Sequence, residues 1–343
     1  MTQLGLGLGV LACRTAVAQP PDDAAYVGIE TSRLTGRSTA SFFSPTGARR
    51  ASLPLDFRAH GLAQSETTLI VFPRRPGNRF AVVDVASLAV RSVVTAPQDR
   101  HFYGHGAFTR DGQHLLVPEN DLNTLSGGIG IYRVAPNMRR VGAIGLPGSG
   151  PHEIVRSPDR DLFFIAMGGL QTHPDYGRTP LNLDAFKSEV LMLDFARTEI
   201  DSFGVWHEAA GISLRHMALD GAGALVVGGQ VARGDGVARA VLWRVSNGVP
   251  HMVDLGAALG GYVSSVAAFG GRVQVTSKET GAVITLSGDE VLSRTALEGA
   301  SATALGREVE AASGFQVLRI GAHEVEADAT FEFDNHGMML RRI

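Results

Sequence analysis

Cysteine is almost missing from this sequence, with a single residue, Cys13, in 343. That excludes a disulfide framework and a thiolate metal cluster, so the fold must stand on packing. An excess of either charge is missing too. The 31 Lys and Arg against 34 Asp and Glu leave a formal charge of −3, so no global field draws the chain to nucleic acid. From residue 25 onward no stretch keeps a 3.6-residue apolar period over three turns, which excludes a helical bundle. The HExxH pair of a metalloprotease helix and the GxSxG nucleophile elbow are both absent. Gly5, Gly7 and Gly9 follow no strand and open no βαβ unit, so they form no dinucleotide fingerprint. Gly127-Gly128-Ile129-Gly130 has no helix after it and reads as a flexible hairpin rather than a phosphate cradle.

The excess is in glycine, 42 residues or about 12% against a usual ~7%, which favours many tight turns. Between them lie apolar runs of a few residues bounded by Gly, Pro, Asp and Asn, and these predict an all-β class. The runs group into a repeat of roughly 40 to 45 residues, each repeat a four-stranded meander. The third repeat illustrates it, with a first run at 104–108, a turn at Arg110-Asp111-Gly112, then runs at 114–118, 130–134 and 140–146. Equivalent units begin near residues 61, 150, 214 and 262, and a weaker one lies between 300 and 329. Runs at 26–30, 40–43 and 50–55 lack an inner first strand, while 331–338 resembles an inner strand without followers. A meander cannot bury both faces alone, and joining the two incomplete ends hides two sheet edges. The prediction is a single domain over 25–343, a seven-bladed β-propeller closed by pairing of its N- and C-terminal strands.

Ahead of it, the short apolar run at 4–12 and Ala16-Val17-Ala18 read as a signal peptide over 1–18 that is cleaved after Ala18, with its charged n-region missing. The run is too short to span a bilayer. Val10-Leu11-Ala12-Cys13 reads alternatively as a lipoprotein box, though Leu11 is bulky for it and Arg14 follows awkwardly.

In a propeller the starts of the first strands and the ends of the second strands meet on one face around the axis. His60, His105, His152, His216 and His336 fall at equivalent first-strand positions of five blades, out of 11 histidines in all. Loops after the second strands add Arg74, Arg75, Glu119, Asp121, Gln230, Arg233, Asp235 and Lys278. The long 168–187 insertion brings His173, Asp175 and Arg178. The expected ligand site is His60, Arg74, His105, Glu119, Asp121, His152, Glu153, His173, Asp175, Arg178, Arg215, His216 and His336. Imidazoles beside carboxylates and guanidinium groups suit a transition metal ion, an anion or a polar small molecule, and His105, His152, His216 and His336 are the candidate metal ligands. The plainer alternative is that the histidines hydrogen-bond neighbouring blades and keep a narrow channel hydrated. The insertion is far longer than a hairpin needs, and it is expected to cover the mouth as an ordered lid.

The stretches Arg74-Arg75-Pro76-Gly77, Gly104-His105-Gly106, Glu119-Asn120-Asp121, Gly148-Ser149-Gly150-Pro151-His152-Glu153, the run from Gly168-Gly169-Leu170 to Tyr176-Gly177-Arg178, Leu214-Arg215-His216, Tyr262-Val263-Ser264-Ser265-Val266 and Asp334-Asn335-His336 cover nearly the whole chain after residue 25. In their order and spacing they resemble a known bacterial family, the one catalogued as domain of unknown function 1513. Thr276-Ser277-Lys278-Glu279-Thr280-Gly281 departs from the pattern, which has Pro and Arg followed by glycines there. The resemblance implies an exported, periplasmic seven-bladed propeller, often with a twin-arginine signal. It also implies genes encoded among periplasmic iron-handling proteins such as imelysin-like peptidases and dihaem peroxidases, and no established reaction. Together these readings favour a monomeric, non-enzymatic binder of a small polar ligand or metal, an accessory of iron uptake. A metal-assisted lactonase or hydrolase using the same His, Glu and Arg groups is the alternative, and a scaffold for a protein partner is the third.

Overall fold

The computed structural model describes residues 25–204, 206, 209–233, 241–307 and 309–340. The expected signal segment, Cys13 and Asp235 lie outside the described residues.

Seven separate antiparallel sheets form the chain, and apart from short 3₁₀ turns the regular structure is all strand among the described residues. The innermost strands of blades 1 to 7 are Phe331–Met339, Ala59–Gln64, the pair Arg100–Phe102 and Ala107–Phe108, Pro151–Arg156, Ile212–Leu219, Ser265–Phe269 and Ala302–Leu305. Each packs on the next in turn, and the last packs on the first, which closes a ring around one axis. Blade 1 takes its innermost strand from the far end of the chain, because Phe331–Met339 pairs antiparallel with Tyr26–Ser32. The predicted seven-bladed propeller and its closure are therefore the observed architecture.

Burial changes with radius. The second strands Thr68–Pro73 and Leu162–Met167 are buried at every position, since both of their faces meet neighbouring blades. The outermost strand of blade 6, Glu290–Ala296, is exposed at every position. Apolar side chains fill the wedges between blades. Phe80, for example, lies 5.6 Å from the Phe72 ring, 5.2 Å from Phe102 and 5.4 Å from Tyr132, tying blade 2 to blade 3. Packing of this kind carries the fold in the absence of disulfides.

Two local expectations are corrected. The first strand of blade 3 is not a continuous 104–108 run: it pairs at Arg100–Phe102, leaves the ladder over 103–106, and resumes at Ala107–Phe108. Gly104, at φ 100°, turns the chain there into the space beside His60, which a Cβ would contact at 2.6 Å. Gly127 and Gly128 are not a hairpin either. They open the strand Gly127–Arg133, and the turn precedes them.

Candidate functional site: a histidine layer on the propeller axis

The histidines owe their direction to irregularities in the inner strands. In blade 2 the register slips between Ala59 and Leu62, in blade 4 between Pro151 and Glu153, and in blade 5 between Leu214 and His216. Blade 1 slips where 334–336 face the single residue Ile29, and blade 3 leaves 103–106 unpaired. Extra residues on one strand of a pair make a β-bulge, which turns a side chain out of the alternation that otherwise sends it into the blade. All five bulges hold or adjoin one of the five histidines. Blades 6 and 7 keep a regular inner ladder, and their inner strands carry no histidine.

The five imidazoles meet in one layer. Ring centroids are 4.4 Å apart for His60 and His336, 5.0 Å for His60 and His105, 5.0 Å for His152 and His216, 4.8 Å for His105 and His336, and 4.9 Å for His216 and His336. His60, His105, His152 and His216 are buried, and His336 is half-buried. Two groups of three, His60 with His105 and His336, and His105 with His152 and His216, each bring one nitrogen per ring within 4.8 Å of the others. Burial pushes every one of these imidazoles below its ordinary range, His105 and His216 to about 3, and neighbouring rings and arginines add to this at most of them. Neutral imidazole is the form that donates a lone pair to a metal. His60 Nδ1, His105 Nε2, His152 Nδ1 and His336 Nε2 have no partner among the described residues.

Glu153 orients the layer from one side. One carboxylate oxygen accepts from Met217 N at 2.9 Å and lies 3.2 Å from His216 Nδ1, while the other is 3.6 Å from His105 Nδ1. Burial raises the Glu153 carboxyl and His105 opposes that. With Nδ1–H of His216 given to Glu153, its Nε2 is left as the lone-pair nitrogen, 3.5 Å from Tyr262 Oη.

The layer separates two hollows. On one side a cavity of about 110 Å³ is lined by His105, Glu153, His216, His336, Ser265 and Thr303. On the other, a mouth of about 200 Å³ is floored by His60 and His152 and walled by Arg74, Arg75, Arg178, Arg215, Lys278, Gln230 and Tyr262. Neighbours in sequence thus diverge, with His152 at the mouth and Glu153 below, and with Arg215 at the mouth and His216 below. Arg74 reaches Asp334 at 3.2 Å, and Arg75 lies over the Tyr103 ring at 5.5 Å. Burial, then Arg75, pushes the Arg215 guanidinium down to about 9. A larger hollow of about 310 Å³ lies off the axis between blades 6 and 7. Its groups pair among themselves, Gln274 with Thr285 and Arg319 with Glu324, so we do not place the site there.

Of the expected site residues, His60, Arg74, His105, His152, Glu153, Arg178, Arg215, His216 and His336 line these two hollows. Glu119 does not. It points outward within blade 3, accepting from Tyr132 Oη at 2.8 Å and from Arg140 Nη2 at 2.8 Å. Glu30 and Arg49 make the same pairing between the second and fourth strands of blade 1, which marks both pairs as ties within a blade. Asp121 caps a turn through Asn123 N and Thr124 N and pairs with Arg100. The insertion is ordered by Asn182, which accepts from Gln171 N at 2.8 Å and donates to Gly169 O at 2.9 Å. It delivers Arg178 to the mouth, whereas His173 and Asp175 pair with each other outside the lining and Tyr176 is exposed. Tyr262 lines the mouth although no feature of the sequence marks it as a site residue. His101 lines neither hollow: it is buried against Asn120, whose amide donates to Thr172 O of the insertion.

The profile of the family described as "Protein of unknown function (DUF1513)" matches residues 53–340. The chain belongs to DUF1513. No curated protein matches it. Among solved structures, this DUF1513 propeller is similar to Kuenenia stuttgartiensis hydrazine synthase at 13% identity and a TM-score of 0.64, over 94% of this chain and 99% of that one. It is also similar to a chain of a nidogen/laminin complex at 10% identity and a TM-score of 0.52, over 93% and 100%. At such identities the likeness is one of fold, so the site of this DUF1513 member must be argued from its own residues.

Proposed function

We propose that this DUF1513 chain is a non-enzymatic binding propeller that holds a divalent transition metal ion in its axial histidine layer. The observation that carries the reading is the set of four buried ring nitrogens, from four blades, with no hydrogen-bond partner among the described residues. Leaving a buried polar atom unsatisfied costs about 1–3 kcal/mol, so a fold that gathers several of them at one point gains from a ligand that takes their lone pairs. The donor set fits such an ion: neutral imidazoles suit Zn²⁺, Cu²⁺, Ni²⁺ and Fe²⁺, and Glu153 behind two of them is the usual orienting carboxylate. The periplasmic setting and a role in iron uptake belong to the proposal through the family resemblance alone. Protein purified from its native compartment, free of any affinity tag, should carry close to one transition metal per chain by elemental analysis. His105→Ala together with His152→Ala should lose it while keeping the wild-type far-ultraviolet circular dichroism. Wild-type protein without stoichiometric metal that also fails to take up Zn²⁺, Cu²⁺, Ni²⁺ or Fe²⁺ would overturn the reading, as would a folded double variant that keeps its metal.

A further inference from the structure

The mouth above the histidine layer has chemistry of its own. Four guanidinium groups and one ammonium surround a space of about 200 Å³, and no carboxylate lines it among the described residues. Arg74 is matched by Asp334, but Arg75, Arg178, Arg215 and Lys278 have no ion-pair partner among the described residues. Arg215 is only 7% exposed and its Nε has no partner among the described residues, so a cation is held out of water with no carboxylate of those residues paired to it. His60 and His152 complete the floor, each with an unpartnered Nδ1. These positive groups come from different parts of the ring: Arg75 from blade 2, Arg178 from the blade 4 insertion, Arg215 from blade 5 and Lys278 from blade 6. A compact oxyanion would satisfy one or two of them. An anion with carboxylates on separate carbons meets several guanidinium forks at once, each in a bidentate pairing, and Gln230 and Tyr262 remain for a hydroxyl or carbonyl group between.

We propose that the mouth is a binding pocket for a small di- or tricarboxylate, seated on the histidine layer with one carboxylate toward His60 and His152. The pocket stands without the metal. Only the contact between that carboxylate and a bound ion rests on the metal reading, and it follows because His60 and His152 belong one to each of the two imidazole triads.

Calorimetric titration of protein stripped of metal by a chelator, with citrate as the probe, should give saturable one-to-one binding at low salt. Inorganic phosphate and acetate should each bind at least about tenfold more weakly. Arg75→Ser and Arg178→Ser should each weaken citrate about ten- to a hundredfold, the range for losing a hydrogen-bonded charged partner, with unchanged melting curves. Absence of citrate binding, equal affinity in both variants, or phosphate as tight as citrate would overturn the pocket. In a second arm, protein loaded with cobalt(II) should change its visible absorption when citrate is added. Citrate that binds stripped protein but leaves that absorption unchanged would overturn the seating on the metal, and failure to load cobalt would sink the metal reading instead.

Discussion

At the residue scale, the buried imidazoles tie stability to pH in a definite direction. His105 and His216 stay neutral in the native state until about pH 3, whereas in the unfolded chain they titrate near 6.5. Below 6.5 the unfolded state takes up protons that the native state refuses, so acid favours unfolding, and above 6.5 the two states bind protons alike. Metal-free protein should therefore lose about 2 kcal/mol for each of these two histidines between pH 7.5 and pH 5.0, as read by urea unfolding at each pH. A flat profile would place them in water. Glu119 belongs to the opposite category. Glu119→Ala should cost about 3 kcal/mol of stability, because it breaks a buried pair whose other member, Arg140, keeps some access to water, and it should leave metal content untouched. The sequence put Glu119 and Glu153 on equal terms, since both stand near histidines at one end of the blades. Only the strand alternation, which turns Glu119 toward Arg140 two strands away, separates the tie from the site.

At the element scale, strands and turns were legible because each is a local pattern, an apolar run with Gly, Pro or Asp at its end. Bulges were not, since a bulge is a mismatch between two strands and neither strand records it alone. The split inner strand of blade 3 is the clearest case: 104–108 looks like an ordinary strand until its pairing with His114–Asp121 is known. The insertion was legible as an excess of length, but which of its polar residues reach the mouth depends on a side-chain clasp at Asn182. Asn182→Ala should release that clasp. We expect limited proteolysis within 168–187 to quicken several-fold while far-ultraviolet circular dichroism stays as in wild type. Unchanged cleavage would mean the insertion is held by its other contacts.

At the scale of the whole molecule, ring closure by Phe331–Met339 should be indispensable. Ending the chain at residue 330 exposes the inner edge of blade 1 and unseats the strand that packs against blades 2 and 7. The product should be recovered as aggregate, or as soluble protein without a cooperative melting transition, and a monomeric, cooperatively melting fragment would count against closure as the source of stability. The same strand carries His336, whose neighbours in the layer come from residues 60 to 216. His105, His152 and His216 come from three consecutive blades, whereas the triad of His60, His105 and His336 is assembled only when the closing strand joins blade 1. On the proposed metal reading the two triads would then report different things: an ion held by His60, His105 and His336 marks a ring that has shut, while an ion held by His105, His152 and His216 marks only that blades 3 to 5 have stacked.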